Sequence, residues 1–192
     1  MTNVRSHSTS AVMVALLKYA VFALYLYLVI KILLLKFGSM ELELIYGQWQ
    51  QSVSNPSSIW ERLQYRGNLV PFHEIEQYLV AIRESGSVHS LINLLGNVIA
   101  FMPFGFMVPL LFSKKLQSLG KVVLLSFLFS LGLETTQLVT NCGIFDVDDI
   151  LLNTTGGALG YGMYMSYRLM FWWKSRKSRK SRKSRTLMSE AH

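Results

Sequence analysis

Four stretches of about twenty apolar residues divide this chain, and each is long enough to cross about 30 Å of hydrocarbon as a helix. In lipid every backbone N–H and C=O must be satisfied within the segment, so such stretches fold as helices rather than open strands. Composition agrees: 51% of the residues are hydrophobic and 16% are charged, against about 25% charged in soluble domains. That apolar content excludes a disordered chain, and a single cysteine, Cys142, excludes a disulfide scaffold or a zinc ribbon. The fold class expected is an all-α membrane protein, a four-transmembrane-helix bundle.

The first span is expected over residues 11–36. It contains Lys18 and Lys31, about 20 Å apart along a helix, so each ammonium can reach the nearer interface. It resembles a signal peptide at its start, but the long apolar run has no small-residue cleavage site and reads as a retained anchor. The second, 91–112, is free of charge, with Pro103 and Pro109 expected to kink it or unwind its inner end. The third, 122–140, holds one charge, Glu134, and the fourth, 149–173, ends in the aromatic girdle Phe171-Trp172-Trp173.

Charge sets the orientation. The net +8 is confined to the tail: the first 167 residues hold ten basic and ten acidic residues, and nine basic residues lie between Arg168 and Arg185. Arg5, the Lys114/Lys115/Lys121 hairpin and the tail fall on one side of a four-span bundle, which the preference of Lys and Arg assigns to the cytoplasm together with both termini. Residues 38–90, with six Glu against three Arg, and the turn holding Asp146, Asp148 and Asp149 face outward in a plasma membrane. Four Lys-Ser-Arg repeats at 174–185 are expected to stay disordered until they meet an anionic inner leaflet. No basic face outside the tail suggests a nucleic-acid partner.

The outer loop is expected to contain an extracytoplasmic amphipathic helix near 71–83. Pro71 is suited to its first position, and Phe72, Ile75, Leu79 and Ile82 fall at helical spacing. It could lie on the outer leaflet beside Trp49 and Trp60 or pack on its neighbours.

Polar side chains within spans cost free energy unless they meet a partner or water, so they are the candidate binding residues. These are Asn93 and Asn97 in the second span, Glu134 and Gln137 in the third, and Asp146, Asp148, Asp149 and Asn153 at the start of the fourth. Helical rise puts Glu134 about 9 Å from the outer end of its span and about 18 Å from the inner one. The set therefore converges on the outer third of the bundle, although amides also hold transmembrane helices together. Gly156 and Gly160 read as a helix-packing face.

Asp146, Asp148 and Asp149 are candidate metal ligands for a divalent cation, or an acidic helix N-terminus favoured by the dipole. No other cofactor is indicated. His7, His73, His89 and His192 lack zinc spacing, and there is neither a Gly-x-Ser-x-Gly elbow nor a phosphate-cradling loop.

Several ordered motifs resemble the VanZ-like family: Asn68-Leu69-Val70-Pro71-Phe72, then Asn93-Leu94-Leu95-Gly96-Asn97 leading to Phe101-Met102-Pro103-Phe104-Gly105. Glu134 with Gln137 follows, and finally Phe145-Asp146-Val147-Asp148-Asp149-Ile150-Leu151-Leu152-Asn153-Thr154 with Gly156-Gly157. The resemblance implies a family domain over about residues 20–167 of a bacterial inner-membrane protein, typically Gram-positive. A member of that family raises resistance to teicoplanin and related lipoglycopeptides without replacing the D-Ala-D-Ala target. The chain departs from many members in having Cys142-Gly143-Ile144 where they carry an arginine before the aspartates.

Two functions follow as expectations. The first is a membrane resistance factor whose outer polar site meets membrane lipids, a lipoglycopeptide antibiotic or a cell-wall lipid precursor. The second is a membrane enzyme acting on a lipid-linked or envelope substrate, with Glu134 as the candidate catalytic acid or base. The sequence does not indicate an oligomeric state.

Overall fold

A computed structural model describes residues 3–34, 42–112 and 116–190. Lys114 and Lys115, used above to orient the chain, and His192 lie outside the described residues. The described residues form seven helices: α1 (Asn3–Leu34), α2 (Leu42–Ser54), α3 (Ser57–Arg66), α4 (His73–Ser85), α5 (Val88–Leu111), α6 (Leu119–Thr140) and α7 (Val147–Glu190). Their only strand-like pairing is an isolated parallel bridge between Asn68 and Asp146.

Three helical segments are long and apolar enough to cross a membrane, Val12–Leu34, Val88–Leu111 and Leu119–Thr140, and the chain is a membrane protein on that ground. The helix expected as a fourth span, α7, is not among them. Its first half carries Gly156, Gly157, Gly160, Gly162, Tyr161, Tyr164 and Tyr167 where α5 carries leucine, isoleucine and phenylalanine.

Those small residues reflect where α7 sits. It packs most extensively on α5 and next on α6. Gly156 lies against the Val98 carbonyl, Gly160 against the Met102 carbonyl, and Gly105 against the backbone of Gly157. Backbones this close leave no room for a Cβ at Gly156 or Gly160, nor at Gly105 or Gly157. Along α5 and α7 the partners advance together, from Asn97 with Asp149 to Phe106 with Tyr164, so the two helices run parallel.

The hydrophobic core lies between α1, α5 and α6. Phe22, Phe104, Val108 and Val122 form one buried cluster, and Val29, Leu33, Phe101 and Leu133 form another. Three side-chain bonds to backbone tie α1 down: Tyr19 Oη to Leu111 O at 3.0 Å, Tyr25 Oη to Ala100 O at 2.7 Å, and Gln137 Nε2 to Leu33 O at 2.8 Å.

α2 and α3 dock on the C-terminal end of α6, whose last carbonyls have no intrahelical donor. Ser52 Oγ donates to Val139 O at 2.6 Å and the Arg62 guanidinium to Leu138 O at 2.9 Å. A cation at that end also complements the helix dipole.

Three expectations need correction. Pro71 does not open the loop helix: α4 begins at His73 after Phe72, which takes a left-handed φ of 69° and provides no side-chain cap. Ile75 and Ile82 are half-buried in α4 while Phe72 and Leu79 are exposed, so the helix is turned to bring Tyr78 inward. Neither proline unwinds the inner end of α5, which continues helically through Pro103 and Pro109 to Leu111. Pro109 is fully buried, and its site in the last turn forfeits only one late backbone bond.

The third concerns the Lys-Ser-Arg tail, where helix continues to Glu190. Lysine and arginine are good helix formers, and the Arg176 guanidinium sits 4.4 Å over the Trp172 ring one turn before it, a cation–π contact that carries the helix into the repeats.

Candidate functional site

The N-terminal ends of α5 and α7 meet the C-terminal end of α6, and the turn 141–146 brings an aspartate-rich segment over the junction. Chain geometry holds it there. The Asn68 N–H donates to Phe145 O at 2.9 Å and the Val147 N–H to Asn68 O at 3.0 Å, while Asn68 Nδ2 donates to Asp146 Oδ1 at 2.8 Å. Asn68 thus locks the loop between α3 and α4 to the start of α7 on three sides.

The three aspartates are used differently. Asp148, almost wholly buried, accepts the backbone N–H groups of Phe72, Glu74 at 2.8 Å and Ile75 at 3.1 Å. It caps α4 from another helix, replacing the cap that Phe72 cannot give. Asp146 Oδ1 accepts the Asp148 N–H at 2.8 Å and thereby caps α7 itself. Asp149 accepts from the Asn97 amide of α5.

Glu134, buried on α6, accepts the Asp146 N–H at 2.9 Å. Asn153 donates to Ser130 Oγ at 2.9 Å one turn deeper. Ser126, Ser130 and Glu134 recur every four residues and so form one polar row on α6, facing α7. Within this buried seam Asn153 Oδ1, Thr154 Oγ1 and Ser126 Oγ have no protein partner. They are the groups best able to take a ligand's or a water's hydrogen bond.

Burial and crowding of negative charge act together here. Asp146 is pushed up to about 6, first by burial and then by the Asp149 charge. The Tyr78 hydroxyl is pushed above its ordinary range by burial, with Glu74, Asp149 and Asp146 adding to it. That places Tyr78 beside the acidic cluster, on the inner face of α4.

Six of the eight candidate binding residues therefore come together: Asn97, Glu134, Asp146, Asp148, Asp149 and Asn153. Asn93 does not join them by any hydrogen bond seen; its amide pairs with His89 at 3.2 Å on its own helix. Gln137 turns away to the Leu33 carbonyl and ties α6 to α1. Among the described residues no three His, Cys, Asp or Glu are arranged to hold a metal ion. The oxygens of Asp146, Asp148 and Asp149, the candidate cation ligands, accept from amides and backbone N–H groups.

Sequence reasoning missed Asn68 and Tyr78 as parts of the site. Asn68 stood in a quoted motif, but its partner is 78 positions away. Tyr78 carried no signal beyond its place on the helix. The apolar rim was legible only in fragments: Trp60, Tyr65, Leu69, Val70 and Phe72 are all exposed on the segments around this end.

Comparison with known proteins agrees with the motifs. No solved structure matches the chain. A curated relative, "Protein VanZ" of Enterococcus faecium, is 32% identical over 104 residues, covering 54% of this chain and 62% of that protein. The matched region thus spans less than two thirds of the relative's length. The VanZ/LLP1 family model matches residues 22–172, which takes in α2 to α6, the C-terminal part of α1 and the first half of α7. The chain belongs to the VanZ/LLP1 family.

Proposed function

We propose that this protein is a non-enzymatic membrane factor that protects against teicoplanin-type lipoglycopeptides by engaging the lipidated drug, or a cell-wall lipid, at the outer leaflet. The observation that carries the reading is the gathering of Asn97, Glu134, Asp146, Asp148 and Asp149 at one end of the bundle, bordered by exposed apolar residues. Acceptor-rich carboxylates suit the N–H and O–H groups of a glycopeptide. The rim of Leu69, Val70 and Phe72 suits its acyl chain. Family membership and the VanZ relative support the same direction.

The topology proposed with it has four spans, α7 supplying the last, and both termini in the cytoplasm. The acidic end then faces outward and the basic tail lies against the anionic inner leaflet. Gly156, Gly157 and Gly160 lower the hydropathy of α7 on the face that packs against α5 and α6.

The enzymatic alternative has one observation in its favour, a carboxyl at Asp146 that titrates near 6 and could exchange a proton near neutrality. It has no metal group among the described residues.

The test is drug selectivity. A Gram-positive host expressing the chain is expected to gain resistance to teicoplanin and little to vancomycin, which lacks the acyl chain. Equal protection against both drugs would remove the lipid-directed part of the proposal, and protection against neither would remove the whole.

A further inference from the structure

α1, α2 and the C-terminal end of α6 enclose a cleft of about 190 Å³. It lies across α6 from the acidic cluster: Thr136, in its wall, follows Glu134 by two residues and so stands about 200° around the helix. Tyr27, Lys31 and Leu34 line it from one face of α1, and Ile45 meets them from α2.

The wall is apolar despite the hydroxyls and the thiol in it. Thr136 Oγ1 donates to Gly132 O at 2.7 Å and Thr140 Oγ1 to Thr136 O at 2.6 Å, both along their own helix, while Cys142 Sγ donates to Thr140 O at 3.6 Å. Polar atoms committed in this way leave methyl groups and the soft body of the thiol to the cleft.

Among the described residues Lys31 is the one charged group in the lining. It is exposed and has neither a hydrogen bond nor an ion pair among them. α1 contains no Asp or Glu, Glu134 is buried on the opposite side of α6, and Glu43, in the first turn of α2, is exposed and outside the lining. The bond from Gln137 to the Leu33 carbonyl sets this end of α1 beside the last turns of α6, a level from which a lysine stem reaches the interface. Next to Ile45, the exposed rings of Tyr46 and Trp49, 5.8 Å apart, suit that same interface.

We propose that this cleft binds an anionic glycerophospholipid, one acyl chain lying against Tyr27, Leu34 and Ile45 and the phosphate held by Lys31. Apolar walls alone would take any lipid chain, and the lysine selects the headgroup. One lysine beside an anionic headgroup corresponds to about a fivefold preference. The site depends on neither the drug-directed function nor the orientation; under the proposed orientation it draws on the outer leaflet.

Cys142 is the single cysteine of the chain and stands in the cleft wall, so its alkylation by uncharged N-ethylmaleimide reports occupancy. It is also about 40 Å along α7 from the basic tail, whose own lipid contacts leave this readout untouched. The full chain in a neutral detergent is titrated with phosphatidylglycerol, with phosphatidylcholine of the same chains, or with oleate. Phosphatidylglycerol is expected to slow alkylation at about fivefold lower concentration than phosphatidylcholine. Lys31→Gln is expected to abolish that difference, leaving the phosphatidylcholine response unchanged, and Lys31→Arg to keep it. Thr136→Trp, at an exposed lining position, is expected to fill the cleft and remove the slowing by either lipid. Absent or equal slowing in wild type, an undiminished preference in Lys31→Gln, or undiminished slowing in Thr136→Trp would each overturn the proposal. Slowing by oleate without slowing by phosphatidylglycerol would overturn it in favour of a free fatty acid.

Discussion

Asp148 and Glu74 stand 74 positions apart in the chain, and the Asp148 carboxylate accepts the Glu74 backbone N–H at 2.8 Å. With the N–H groups of Phe72 and Ile75 on the same carboxylate, one side chain of α7 satisfies the first turn of α4. Charge-assisted bonds of this kind are stronger than neutral ones, and removing their acceptor leaves partly buried donors unpaired. Asp148→Ala is therefore expected to cost about 2–4 kcal/mol, with Asp148→Asn costing about half as much because one acceptor oxygen remains. Denaturation in detergent micelles measures both, and hydrogen exchange should show α4 opening first.

The close contact of α5 and α7 gives a second expectation. A Cβ at Gly156 would overlap the Val98 carbonyl and one at Gly160 the Met102 carbonyl, whereas one at Gly162 would meet open space. Gly156→Ala and Gly160→Ala are each expected to lower stability by about 2 kcal/mol or more, since backbone can yield only by separating the helices. Gly162→Ala should be neutral or slightly stabilising. Thermal unfolding of the three variants side by side checks the contrast.

Much of this was legible in the residues themselves. The apolar runs located α5 and α6 to within three residues at each end, because a lipid-facing helix must be apolar along its whole length. The polar side chains of Asn97, Glu134 and Asp149 were conspicuous for the same reason. What could not be read depends on tertiary partners. α2 and α3 are short and polar, and they rest on the last carbonyls of α6 through Ser52 and Arg62. The start of α4 was misplaced because its cap comes from Asp148, far along the chain, and not from a neighbour. Gln137 shares a helix with Glu134, but only its rotation toward Leu33 shows that it serves packing.

Asp146 predicts a pH dependence. Its carboxyl titrates near 6 in the folded protein against 3.8 ordinarily, so the folded state holds the proton more tightly than the unfolded one. Its stabilising contribution is full below about pH 4 and is lost as pH rises through 6. Relative to Asp146→Asn, which cannot ionise, wild type is expected to lose on the order of 2 kcal/mol between pH 4 and pH 8. Parallel unfolding curves across that range would show it as a difference that grows with pH.

Tyr78→Phe removes a hydroxyl that bonds Glu74 beside the cluster. It is expected to lower stability by about 1 kcal/mol, and drug protection should fall more than that loss accounts for if the ligand reaches the inner face of α4. Susceptibility and melting temperature of the same variant separate the two effects.

The central claim is that the gathered polar end, and not the bundle in general, carries function. It is tested most directly by teicoplanin susceptibility of a Gram-positive host expressing wild type, Asp149→Asn, Glu134→Gln or Asn93→Ala, with equal membrane levels confirmed by blot. Asp149 and Glu134 lie within the cluster, whereas Asn93 pairs with His89 on its own helix. The account predicts that wild type and Asn93→Ala protect while Asp149→Asn and Glu134→Gln do not. Full protection by both carboxylate variants would contradict it.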